Sequence, residues 1–175
     1  MPTPTDVLRD EHRVILRALD VLDAAASLLA RGRPLPEGWW PEIIGWLRSF
    51  ADKNHHAKEE VSLIPAMVKA GVPSDGGPIG VMLEEHERGR ALIRAMEAGD
   101  PAARAAKARE YVALLREHID KENGVLFPQA DAVLDEAAQR ALQREFEAVE
   151  AEQGRDASIP HAEAVVERLQ AALAG

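Results

Sequence analysis

Cysteine is absent from the chain. Disulfides, thiol chemistry and cysteine-ligated iron–sulfur clusters are thereby excluded. No run of basic residues interrupts a sequence whose formal net charge is -9. That balance argues against a phosphate backbone as partner, so no nucleic-acid binding is expected. No apolar stretch approaches the ~18 residues needed to cross a bilayer, and no membrane association is expected. The first residues are polar and charged, without the apolar core of a secretory signal; with the lack of cysteine this sets a cytoplasmic expectation. Aromatic residues make up only 4% of the chain, whereas Ala, Leu, Glu and Arg are abundant, a balance that favours helix. No strand pattern and no low-complexity segment is visible. At 175 residues the chain is long enough for one domain with a proper core.

What the sequence does contain is a duplication. His55-His56-Ala57-Lys58-Glu59-Glu60-Val61-Ser62-Leu63-Ile64-Pro65 aligns without a gap on His118-Ile119-Asp120-Lys121-Glu122-Asn123-Gly124-Val125-Leu126-Phe127-Pro128, with His, Lys, Glu, Leu and Pro at matching positions. Upstream, Asp10-Glu11-His12 echoes Glu84-Glu85-His86. Each half therefore carries one lone His and then a His-x-x-x-Glu.

Taken in order, Thr3-Pro4-Thr5-Asp6 reads as a capped helix start, with Thr3 and Asp6 forming a capping box around Pro4. Leu8, His12, Ile15, Leu16 and Leu19 then follow helical spacing as far as Arg31-Gly32. A second helix is expected from Trp39-Trp40-Pro41 to Ala70-Gly71, with Ile44, Leu47, Ala51, His55, Glu59, Ser62, Leu63 and Ala66 inward and an interruption at Pro65. The breakers of Gly71 to Pro78 divide the two halves. A third helix runs from about Pro78 to Ala98, presenting Ile79, Met82, Leu83, His86 and Ile93. Asp100 and Pro101 cap a fourth that reaches about Leu134, with Tyr111, Leu114, Leu115, His118, Glu122, Val125 and Leu126 inward. Two shorter helical patterns follow, split at Gly154 to Pro160. The fold class expected is all-α: an up-down four-helix bundle over residues 1–135, with a C-terminal helical extension, residues 136–175, packed on it as part of the same domain.

His and Glu four apart on a helix share a face, one turn from each other. Two such pairs and two further His, on four amphipathic helices, give six candidate ligands: His12, His55, Glu59, His86, His118 and Glu122. Imidazole nitrogen and carboxylate oxygen suit iron, manganese or zinc, and buried ionisable groups are costly unless paired or metal-bound. A lone apolar-face His is ordinarily a hydrogen-bonded core residue, and a single His-x-x-x-Glu a surface pair. The in-register duplication is what turns the reading toward a metal site. His161 falls outside the repeat and reads as structural or solvated. Trp39, Trp40 and Tyr111 read as core, and the acid pairs before His12 and His86 as solvated faces. The ferritin-like Glu-x-x-His pattern is not duplicated, since Asp52 and Leu115 precede His55 and His118 by three.

These segments resemble a hemerythrin-like (HHE cation-binding) protein, over roughly residues 5 to 135. The motifs are Asp10-Glu11-His12, His55 through Pro65, Gly77-Pro78-Ile79 through Glu85-His86, and His118 through Pro128. The resemblance implies a bundle enclosing a non-heme di-iron centre with an oxo, hydroxo or water bridge. Its ligands would be the six residues named, with Glu59 and Glu122 bridging, and zinc or manganese could replace iron in recombinant material. It further implies binding of oxygen, nitric oxide or peroxide. The chain departs from oxygen carriers, which take a fifth His from His-x-x-x-His on the third helix, because Met82 and Arg90 stand four from His86. It also lacks the cysteine-bearing N-terminal segment usual in the iron–sulfur repair branch.

The first functional reading is thus a protein that binds or senses a small diatomic molecule or peroxide, as a monomer or homodimer. Alternatives are a di-iron peroxidase or oxidase, such as a catalase-like scavenger, an iron donor in repair of iron centres, and a metal-free helical interaction domain. Between the two possible registers, His55 with Glu59 is preferred, because a rotation of about 100° per residue turns His56 and Glu60 away from the axis. The sequence leaves open whether His56, Glu60 or Tyr111 supplies a further ligand.

Overall fold

The computed structural model describes residues 2–175 and contains, among them, helices and turns but no strand. Helix α1, Pro4–Ala30, opens with the capping box between Thr3 and Asp6. Gly38, at a φ of 76° that suits glycine, leads into α2, residues 39–69. Helix α3 is Gly77–Ala98, and α4 spans residues 101–133, capped by the Asp100 side chain. Helix α5, Glu136–Gln153, is capped by Asp135, and α6 is Ile159–Leu173. No helix among the described residues is long and apolar enough to cross a membrane.

Neighbouring helices of the bundle run antiparallel, as the residue pairs joining them show. Along α1 and α4, Thr5 meets Asp131, His12 meets Glu122 and Asp20 meets Arg116. Along α2 and α3, Trp40 meets Met96, Asp52 meets Arg90 and Glu60 meets His86. The extension lies against this frame: Trp39 and Trp46 donate their indole N–H to the carbonyls of Leu169 and Ala162 in α6, while Leu142 and Phe146 of α5 join the apolar residues around Leu8 and Leu63.

The apolar interior is in two pieces. The larger takes in residues 14–26 of α1, the first half of α2, Ile93 and Met96, residues 105–119 of α4 and the inner face of α6. The smaller gathers Leu8, Leu63, Met67, Ile79, Met82, Leu126, Phe127 and the α5 residues. Between them lies a layer of buried His and Glu.

Two of the bundle helices are not uniformly α. Helix α2 winds as a π-helix over Leu47–His56 and again over Glu59–Leu63, and α4 does so over Glu122–Leu126. The second stretch of α2 and that of α4 stop just before Ile64-Pro65 and Phe127-Pro128, at equivalent places in the repeat. A proline lacks the N–H and crowds the carbonyl four residues back; the wider i→i+5 turn relieves both, and such turns cluster at functional sites. The interruption expected at Pro65 takes this form. It also corrects one expectation: Val125, placed inward by a 3.6-residue period, is 52% exposed, because the widened turn shifts the face that follows Glu122.

Candidate metal centre

All six sequence-derived candidates are buried and converge. One donor atom from each of His12, His55, Glu59 and Glu122 lies within 4.8 Å of the others, and a second set, His56, Glu59, His86 and His118, meets the same distance. Glu59 belongs to both sets. Its Oε1 is 3.6 Å from His55 Nε2 and its Oε2 is 3.3 Å from His86 Nε2. Glu122 repeats the arrangement, with Oε2 3.0 Å from His12 Nε2 and Oε1 3.0 Å from His118 Nε2. Each carboxylate thus offers one oxygen to either side of the cluster. The Nε2 atoms of His86 and His118 face one another at 3.1 Å.

His56 is the principal departure from the sequence reading. It is not turned away from the axis but buried, its ring stacked on His86 at 4.0 Å with 20° between planes. The π winding of Leu47–His56 is the cause: the i→i+5 turn slows the rotation per residue, so that two adjacent side chains both reach the interior. Burial, followed by the charges on His86, His55 and His118, pushes the His56 imidazole well below its ordinary value and keeps it neutral, the form that ligates metal. Glu60 does stay outside the cluster. Tyr111 packs in the larger apolar core, and His161 sits 3.9 Å from Asp156, apart from the site.

Behind the inward nitrogens is an outer ring of partners. His55 Nδ1 donates to Glu11 at 2.8 Å, and His118 Nδ1 to Glu85 at 2.9 Å. His86 Nδ1 donates to Glu60 at 2.8 Å, and His12 Nδ1 to Asn123 Oδ1 at 2.8 Å. Holding Nδ1 this way leaves Nε2 as the inward donor atom and fixes the ring plane, the usual support of a metal-binding imidazole. Glu11 and Glu85 also pair with Lys58 and Lys121. Arg90 grips Asp52, whose Oδ1 is 3.4 Å from His56 Nδ1, and Glu60 together. Asp10 and Glu84 are the solvated members of the two acid pairs, but Glu11 and Glu85, expected to be solvated, are buried. One residue before an inward His, the helix faces its neighbour in the bundle rather than water. A signal was available, since Glu11 with Lys58 and Glu85 with Lys121 occupy matching repeat positions.

Buried polar atoms without partners show what the cluster lacks from protein alone: His55 Nε2, both oxygens of Glu59 and Glu122 Oε1 make no hydrogen bond. All four are atoms of the proposed ligand set. Left bare, such groups are costly; a cation between them satisfies every one. For Glu122, burial would raise the carboxyl, but His118, His12 and His86 together hold it well below the usual range, so it is anionic. The buried His/Glu group fits a metal site.

Comparison with known proteins agrees. The family model of the hemerythrin HHE cation binding domain matches residues 3–130. Searches of curated proteins and of solved structures found no match.

Proposed function

Because the chain belongs to the hemerythrin HHE cation-binding domain family, we propose that it is a non-heme di-iron protein that binds or senses oxygen, nitric oxide or peroxide. The observation that carries this reading is the pair of buried carboxylates, Glu59 and Glu122, each offering one oxygen to either half of an imidazole cluster. The ligands assigned are His12, His55, Glu59, His86, His118 and Glu122, with His56 as a seventh beside His86 and His118. Bound iron would supply a redox-active Lewis acid able to take up a small exogenous molecule.

The chain's own contributions follow from its geometry. Glu11, Glu60, Glu85 and Asn123 hold four imidazoles with Nε2 inward. Glu59 and Glu122 would supply negative charge against bound cations. The apolar clusters on both sides restrict water. His56 offers the fifth imidazole that neither Met82 nor Arg90 provides, which keeps oxygen among the candidate ligands beside nitric oxide and peroxide. The half that faces His12 and His55 carries one imidazole fewer, and a small exogenous molecule is expected there.

Anaerobic reconstitution with iron(II), metal analysis and a visible spectrum with and without azide and peroxide test the reading. Two irons per chain and a ligand-dependent spectrum are expected. Fewer than one transition metal per chain would overturn it, and sustained peroxide turnover would move the protein into the peroxidase class. Zinc in recombinant material would not count against the site, because affinity alone does not favour ferrous iron over zinc.

A further inference from the structure

Lys58 is fully buried, with a relative exposure of 0%. A buried ammonium requires carboxylate partners, and it has two. One is Glu11, which also accepts from His55 Nδ1 at 2.8 Å and from Asn54 Nδ2 at 2.9 Å. The other is Glu150 of α5, whose Oε1 is 2.7 Å from Lys58 Nζ. Phe146, one turn earlier on α5, places its ring 5.7 Å from the same ammonium. A continuous chain of charged hydrogen bonds therefore runs from Glu150 through Lys58 and Glu11 to His55. Glu150 and Phe146 lie beyond residue 130, where the family match ends.

The duplicated half has no counterpart to the last link. Lys121 pairs with Glu85, and Glu85 accepts from His118 Nδ1, but the Lys121 side chain is 43% exposed, and among the described residues its one carboxylate partner is Glu85. One half of the centre is supported from the extension; in the other half the outer lysine borders solvent.

We propose that α5 is a working part of the metal centre: Glu150, acting through Lys58 and Glu11, positions His55, so that the metal held by His12 and His55 depends on the extension and the one held by His86 and His118 does not. Glu150 is a positioning residue. Without its charge, Lys58 is left with Glu11 as sole counter-ion, and the carboxylate that orients His55 is drawn toward the ammonium. Coupling between sites is reciprocal, so metal binding also tightens the docking of α5. The inference rests on the di-metal reading above.

The test is anaerobic titration of the full chain with iron(II) against a chelator, comparing wild type, Glu150→Gln and Arg168→Ala. Gln keeps the size of Glu150 and removes its charge. Arg168→Ala breaks an exposed pair with Glu42 elsewhere on the extension. Amide hydrogen exchange over residues 136–153, with and without metal, is the second readout. In wild type two ions bind, and loading slows exchange in α5. In Glu150→Gln one of the two ions binds about tenfold more weakly, the other is unchanged, and the protection of α5 on loading is lost. Arg168→Ala behaves as wild type. An equal loss of both ions in Glu150→Gln, or two unchanged affinities, overturns the positioning role while leaving the di-metal site standing. Failure of wild type to bind an ion pair overturns both.

Discussion

Stripping the metal should lower the melting temperature by about 8 °C or more. The four partnerless atoms at the centre, His55 Nε2, Glu59 Oε1, Glu59 Oε2 and Glu122 Oε1, are the source. A buried polar group left unsatisfied costs about 1–3 kcal/mol, so four of them amount to about 4–12 kcal/mol. The low end applies, because protons take over part of the cation's role. Burial alone would depress His55, His86 and His118, but Glu59 and Glu11 beside His55, Glu122, Glu59 and Glu60 beside His86, and Glu122 beside His118 hold all three above the ordinary imidazole value. Mass action gives the same magnitude by an independent route: a metal present at about a thousand times its dissociation constant stabilises by about 4 kcal/mol. For a chain of this length, each kcal/mol is worth about 2–4 °C. The assay is calorimetry of the loaded protein, of the same sample after chelation and dialysis, and of that sample after metal is restored. Equal melting temperatures before and after chelation would refute the reasoning, because they would mean that the two groups of side chains do not hold metal.

The metal-free protein should lose stability as pH rises. The raised imidazoles of His55, His86 and His118 contribute stability that is fully present below the ordinary value of 6.5 and is lost as pH climbs through their folded values; as pH rises above 6.5 the apo melting temperature should fall, the loaded form should hold, and an apo value that climbs would refute the assignment. His56 does not oppose this, since above 6.5 it is largely neutral both folded and unfolded. His56→Ala should lower iron content toward one per chain, whereas His161→Ala should leave it at two by metal analysis; an unchanged His56→Ala would place that ring outside the ligand set. Lys58→Ala should destabilise the apo-protein by about 3 kcal/mol in denaturant titrations, because it removes one of the two cations, Lys58 and His55, against which Glu11 is buried. Lys121→Ala, at a half-exposed site, should cost about 1 kcal/mol or less, and similar losses for the two would contradict the difference in burial.

Much of the centre was legible because the chain states it twice. His12 and His86, then His55 with Glu59 and His118 with Glu122, sit at matching places on amphipathic stripes, and these are the residues the fold brings together. His56 and Val125 depart from the sequence expectation for one shared reason: a constant rotation of about 100° per residue does not hold through segments that wind with i→i+5 bonds. The proline six residues after each Glu was the visible trace of that change, but a pattern of apolar spacing does not report helix type. The burial of Glu11 and Glu85 is not legible locally, because whether a charged residue beside an inward His is solvated depends on the neighbouring helix. The Lys58–Glu150 pair spans 92 residues, and no local spacing announces a contact between a repeat and the extension that follows it.

The polar layer between the two apolar clusters has a consequence for how long the protein lasts. Side-chain packing that would make the bundle melt as one cooperative unit is interrupted there, and the smaller cluster is built largely from helix ends and α5. A metal pair held by the His and Glu residues of the four bundle helices would close that interruption and join the two clusters into one unfolding unit. Without it, the smaller cluster should open on its own at a lower free energy than the rest, which limited proteolysis at the ends of α2 and α4 would detect. On the di-metal reading, metal supply would then set the abundance of the protein, because the chains that fail to load would be those that open first.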